Sequence, residues 1–178
     1  MHLSISNIAW RKEENLQAIN ILKKFNIKYL EFAPTLLKQY HNNISFKKIK
    51  KYYSNISIKT YSMQSILYNK KEHFMFGTKI HKKNLIKEVK KKIDLGKFLG
   101  VKIIVFGSPN IKKNILNKKL VDLWPEAIDF FKIIEKDLKK NKITMCIEGN
   151  PKSYGGDYIT DTVTALEIVK TINSKYLK

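Results

Sequence analysis

One cysteine, Cys146, among 178 residues excludes an internal disulfide and suits a reducing compartment. Arginine is nearly as scarce. Of 35 basic residues only Arg11 is an arginine, although base reading and two-pronged phosphate clamping favour its planar fork. The formal charge of +20 therefore reads as solvated lysine scattered over every segment. Weak, salt-sensitive attraction to polyanions is expected, without a specific nucleic-acid partner. No apolar run reaches the roughly 18–20 residues that cross a bilayer, and the start MHLSISNIAWRKEE lacks a signal peptide's apolar stretch and cleavage site. A cytoplasmic protein with no membrane partner is the expectation.

Other absences narrow the chemistry. There is no phosphate-cradling GxxxxGK[ST], no strand followed by GxGxxG, and no GxSxG nucleophile elbow. His2, His41, His73 and His81 fall outside the strand ends, and no two stand at the i,i+4 spacing of helical zinc ligands. A histidine ligand among them is not expected. Cys146 has no neighbouring base in sequence and reads as a packing residue.

What is present is a globular composition, 43% hydrophobic and 11% aromatic, arranged as an alternation over a single domain, 1–178. LSISNIAW (3–10), KYLEFAPT (28–35, stopped by Pro34), ISIKTYSMQSIL (56–67), VKIIVFGSP (101–109) and ITMCIEGNP (143–151) read as strands. Helical spacing marks 12–25, 46–55, 82–100 with Gly100 to end it, 124–140 with Pro125 in its first turn, and 159–172 with Thr160 or Asp161 as cap. The continuous apolar run at 101–109 is the pattern of a parallel strand buried on both faces. Five strand-then-helix units imply an α/β fold with a parallel sheet. Such folds build their sites on the face where the strands end. There the segments finish NIAW, FAPT, MQS, GSP and EGNP.

In the fifth strand, period-two alternation sends Cys146, Glu148 and Asn150 to one side and Met145 and Ile147 to the other. A carboxylate there needs a metal, a cation or hydrogen-bond donors, because burying it alone costs several kcal/mol or forces it to take up a proton. An ion pair to a lysine or a bond to a loop amide meets that need as well as a functional partner does.

SISNIAW (4–10), YLEFAPT (29–35), YSMQSILY (61–68), VFGSP (105–109) and IEGNPKSYGGDYITDT (147–162) together resemble the sugar phosphate isomerase/epimerase family of xylose-isomerase-like TIM barrels. The resemblance implies a (β/α)8 barrel that uses a divalent cation (Mn, Mg, Co or Zn) to isomerise or epimerise a sugar or related polyol by proton abstraction next to a carbonyl. It implies that Glu148 is both a metal ligand and one of the acid/base pair. Gly149 stands where the family often has proline, which loosens the backbone beside that ligand. Glu31 and Gln64 match positions that face the pocket, expected to touch substrate hydroxyls or the groups behind them. A hydrogen bond at the edge of the core is the other reading of Glu31. Asn150, Tyr154 and Asp157 lie in the loop after strand five as further substrate contacts, although SYGGD also reads as a simple glycine turn. Trp10 is either an apolar wall for a sugar face or a buried structural tryptophan.

Tyr176 and Leu177 look like the opening of a sixth strand, which leaves three barrel units without sequence here. In the family the remaining ligands, an aspartate, a histidine and a second glutamate, come from those units. Strands one and five are then expected to carry open edges prone to self-association. A fragment of a longer protein, a truncated product and an oligomerising half-barrel all fit, and the chain alone is expected to be inactive. Two other readings remain: a DNA-repair apurinic endonuclease of the same superfold, and a non-catalytic remnant or interaction module.

Overall fold

The computed structural model describes residues 3–68, 70 and 72–178. Strands β1 (Ser4–Ser6), β2 (Tyr29–Phe32), β3 (Lys59–Met63), β4 (Ile103–Phe106) and β5 (Thr144–Ile147) form one sheet in sequence order, every neighbouring pair parallel. Helices α1 (Asn15–Lys24), α2 (Pro34–Tyr40), α3 (Phe46–Asn55), α4 (Lys79–Leu99) and α5 (Leu120–Asn141) carry the chain between strands, and α6 (Thr162–Ile172) follows β5. This is an α/β fold of TIM-barrel type, so all five strands deliver their C-terminal ends to one rim.

The helices cover one face of the sheet. Leu30, Phe32, Met63, Ile104, Phe106 and Met145 point into that layer and are fully buried. The opposite, concave face holds the alternate residues Tyr29, Glu31, Ile103, Val105 and Cys146, each only half-buried. The apolar run at 101–109 is thus buried on one face and not on two, because no second layer among the described residues packs over Ile103 and Val105. Burial still pushes the Cys146 thiol above its ordinary value.

A register shift between Leu30 and Glu31 gives β3 one extra residue against β2, so that Leu30 pairs with Thr60 and Glu31 with Ser62. Thr60 Oγ1 donates to the Leu99 carbonyl at the end of α4, 2.7 Å away, which fixes that side chain on the helical side. Tyr61 then stacks edge-on against Tyr29, ring centres 5.0 Å apart. Ser62 Oγ reaches Glu31 Oε1 at 3.1 Å. Two consecutive side chains therefore face the concave side, as a bulge permits and a regular strand does not.

Helix boundaries show which local signals dominate. Pro34 ends β2 as expected, but it also opens α2 as its first residue, where a fixed φ and a missing N–H carry no cost. That helix was absent from the sequence reading. Pro125 lies inside α5 and not in its first turn, because the helix begins at Leu120. The missing N–H removes one i to i−4 bond from the first turns of α5, where Val121 is 72% exposed. Asp161 caps α6 by accepting from the Thr164 amide at 2.7 Å. Gly100 ends α4 at φ 86°, a left-handed conformation that favours glycine.

The outer edge of β5 is not open. Residues 176–178 lie beside it in parallel, with the Met145 amide donating to the Tyr176 carbonyl and the Lys178 amide to the Met145 carbonyl, both at 2.9 Å. Among the described residues β1 pairs with β2 alone.

His41, at the end of α2, meets Tyr53 OH through Nε2 at 3.1 Å and packs edge-on against the Tyr52 and Tyr53 rings. Burial holds its pKa below the ordinary 6.5. The unfolded chain therefore takes up the proton first as pH falls. This site contributes stability in full above about pH 6.5 and loses it as pH drops towards the lowered folded value. The urea midpoint is expected to be lower at pH 5.5 than at pH 7.5, and His41→Phe is expected to shrink the difference.

Candidate functional site

A cavity of about 960 Å³ opens at the C-terminal rim of the sheet. One wall is the loop after β3 and the other the loop after β4, with Gln64, Gly107, Asn110, Glu148 and Asn150 among the residues facing it. The two loops are joined where the Met75 amide donates to the Ile111 carbonyl at 2.8 Å. The β3 loop is also tethered to α4 by Lys70, which lies 3.1 Å from Glu88. Glu88, only 8% exposed, is paired in turn with Lys92 at 3.3 Å.

Glu148 follows β5 directly, held there by its amide donating to the Phe106 carbonyl at 3.2 Å. Its carboxylate lies against Gly107. A Cβ on Gly107 would fall well inside contact distance of Glu148 Oε2 and 3.3 Å from Cδ, so the absence of a side chain there leaves the carboxylate its place. Glu148 is exposed to the cavity.

Behind it sits a residue that the sequence reading passed over. Lys112, in the short turn after β4, is 0% exposed, and its Nζ donates to the Glu148 carbonyl and to Asn150 Oδ1, both at 2.8 Å. Burial pulls its pKa down to about 8 against the opposing pull of the Glu148 charge. In a chain with 35 basic residues, one more lysine carried no signal. The ammonium fixes the backbone at Glu148 and the amide at Asn150 together, and so sets the direction in which the loop leaves β5.

Gly149 between them is not a point of looseness. A Cβ there would collide with the backbone carbonyl of Asp161 and come within 2.9 Å of its Cα. Glycine is needed because the β5 loop passes hard against the start of α6. Gly149→Ala is expected to cost about 1–3 kcal/mol, the usual penalty of forcing a methyl group into a packed contact. Urea denaturation of the two proteins checks it, and a loss under about 0.5 kcal/mol would show that the loop yields.

The expected site residues divide by position. Gln64, Glu148 and Asn150 share the cavity. Glu31 stands one hydrogen bond behind Gln64, accepting its Nε2 at 2.6 Å. Tyr154 is 65% exposed in the turn after β5 and does not line the cavity. Asp157 lies outside it too, accepting from the Asn114 amide at 2.8 Å and so tying the β5 loop to the β4 loop. Trp10 is packed at the edge of the core near α2, where Nε1 donates to Asn15 Oδ1 at 3.1 Å and its carbonyl accepts from Tyr40 OH at 2.6 Å. His41 is occupied by Tyr53, and His81 caps α4, with Nδ1 accepting from the Thr78 amide at 3.3 Å. His2 lies outside the described residues.

Among the described residues no group of three or more His, Cys, Asp and Glu side chains converges on one point. A divalent cation takes its affinity from several such ligands. The donors these residues bring together are too few for a metal centre of their own. The arrangement offers the Glu148 carboxylate to a cavity of mixed polar and apolar lining, which Glu72, Lys70 and Lys113 also border, with the buried Lys112 ammonium supporting the loop of Glu148.

A parallel α/β sheet with a cavity at the C-terminal ends of its strands is the architecture of (β/α) barrels. Solved structures identify which barrels. The chain superposes on the IolI protein with a bound zinc atom at TM-score 0.74 and 18% identity, covering 99% of this chain and 61% of that one. It superposes on the 3-keto-D-glucoside 4-epimerase YcjR from E. coli at 0.75 and 14%, covering 100% and 66%. The D-psicose 3-epimerase of Clostridium cellulolyticum H10 gives 0.74 and 15%, with 100% and 62% covered. The fold is therefore that of the xylose-isomerase-like TIM-barrel epimerases and isomerases, and the chain spans under two thirds of the length of these relatives. No protein-family model and no curated protein matches the sequence. Among the described residues no helix is long and apolar enough to cross a membrane.

Proposed function

We propose that the cavity binds a sugar or related polyol and that Glu148 is the base that moves a proton next to its carbonyl, as in an isomerase or epimerase. The observation that carries this reading is the placement of the Glu148 carboxylate over bare Gly107, facing a cavity that Gln64, Asn110 and Asn150 also line. A base must reach the C–H it attacks, and groups that hold hydroxyls must fix the sugar around it. The fold shared with solved epimerases agrees with it. A divalent cation enters the reading only as a partner of Glu148 completed by ligands from outside these 178 residues, where it would supply the carbonyl polarisation that proton removal by the carboxylate requires. Because the described donors fall short of a metal centre, the 178-residue chain alone is expected to bind sugar without turnover.

The endonuclease reading gains nothing from the site, since no histidine among the described residues lines the cavity. The non-catalytic reading has one observation in its favour, the same shortage of converging ligands. One experiment separates it from ours. Deuterium uptake from D2O into D-fructose or D-tagatose, read by mass spectrometry, is expected with a form extended by further βα units and not with the 178-residue chain. No uptake by the extended form would leave the non-catalytic reading standing. Uptake by the short chain would refute the expected inactivity.

A further inference from the structure

Gln64 sits at the meeting point of three strand ends. Its Nε2 lies 2.6 Å from Glu31 Oε2 and 2.9 Å from Ser6 Oγ. The other oxygen of Glu31 is held by the Ser62 hydroxyl at 3.1 Å. A carboxylate can only accept hydrogen bonds, so the side of the amide turned towards Glu31 has to be its NH2. An NH2 group has two protons, and its two partners here account for both. What remains is Oε1, which has no hydrogen-bond partner among the described residues, on a side chain that lines the cavity.

We propose that Gln64 is a specificity-determining residue that offers the cavity a hydrogen-bond acceptor and no donor, and that Glu31 is the positioning residue that fixes this orientation. The inference rests on the polyol reading of the cavity and adds a direction to it. A hydroxyl group donates to Gln64 Oε1 and is accepted there. A carbonyl or carboxylate oxygen of the ligand meets a second acceptor and is turned away, since two acceptors repel and neither gains a hydrogen bond. The ligand's carbonyl therefore lies away from Gln64, at the Glu148 side of the cavity, with a hydroxyl-bearing carbon against strands β1 to β3. Glu31 does not contact the sugar. Its work is to hold an amide that would otherwise rotate and present either end.

The test uses the full 178-residue chain, labelled with 13C and 15N, and reads the Gln64 side chain by NMR. Both NH2 protons of Gln64 are expected to exchange with water at least tenfold more slowly than those of the exposed Gln17 and Gln39. On titration with D-fructose the Gln64 13Cδ is expected to shift while its NH2 signals stay in place. In Glu31→Gln the constraint is gone, so exchange is expected to rise towards that of Gln17 and Gln39 and the sugar is expected to move the NH2 signals as well. Fast exchange in the unsubstituted chain overturns the assigned orientation, whatever the sugar does. A 13Cδ that stays fixed while other cavity signals respond overturns the role of Gln64 and leaves the polyol reading intact. No response anywhere in the cavity overturns both. A 13Cδ that answers to Mg2+ and not to D-fructose makes Gln64 a cation ligand and overturns the selection of a hydroxyl.

Discussion

Glu148→Gln, measured in a form extended by further βα units, is expected to slow deuterium uptake into the sugar by about 10²–10⁴-fold, the usual contribution of a positioned base. The amide keeps the size and shape of the carboxylate but cannot take a proton at neutral pH. Folding stability is expected to change by about 1 kcal/mol or less, because the side chain is exposed and its backbone anchors stay, and only its attraction to the buried Lys112 ammonium is lost. A loss of uptake far larger than that small change in stability is the signature of a chemical role. Equal uptake by the two proteins would remove Glu148 from the reaction.

The second large effect lies beneath the site. Phe131, on α5, is fully buried and meets Phe106 and Phe130 edge-on, at ring-centre distances of 5.5 and 5.0 Å. Phe131→Ala is expected to cost about 3–5 kcal/mol, the transfer energy of the ring plus the cavity it leaves. For a domain whose total stability is about 5–15 kcal/mol, this consumes a large share. The damage reaches the rim, because the Phe106 carbonyl accepts from the Glu148 amide and its next residue is the bare glycine under that carboxylate. Thermal denaturation gives the energy. Phe131→Leu, which restores part of the volume, is expected to recover part of it.

The strands were legible because period and punctuation agreed. An apolar run closed by GSP or EGNP can hardly be anything but a strand entering a loop, and Ile103–Phe106 and Thr144–Ile147 fall inside those runs. Helix α2 was missed because Pro34 sends two messages, the end of a strand and the start of a helix, and the helix it opens is only seven residues long. In α5 the exposed Leu120 and Val121 broke the apolar stripe, so the periodic pattern began several residues late. Within the site, Gln64, Glu148 and Asn150, singled out by strand-end position together with the family resemblance, lie around one cavity. Lys112 was not, since a buried lysine differs from a solvated one only by its surroundings, and the surroundings come from segments 36 and 38 residues away. Gly149 was read with the wrong physics for a similar reason. Its constraint comes from Asp161, which sequence spacing does not bring to it.

The extra residue in β3 works as a half-step of phase. It lets Ser62 stand opposite Glu31 and brings Gln64 to the Phe32 carbonyl, which its amide reaches at 2.9 Å. Remove one residue from this strand and the ladder becomes regular, but every position after the cut reverses its facing, and the amide that reads the ligand turns towards the helices. A deletion in these five residues would edit the vocabulary of the cavity while hardly altering its outline.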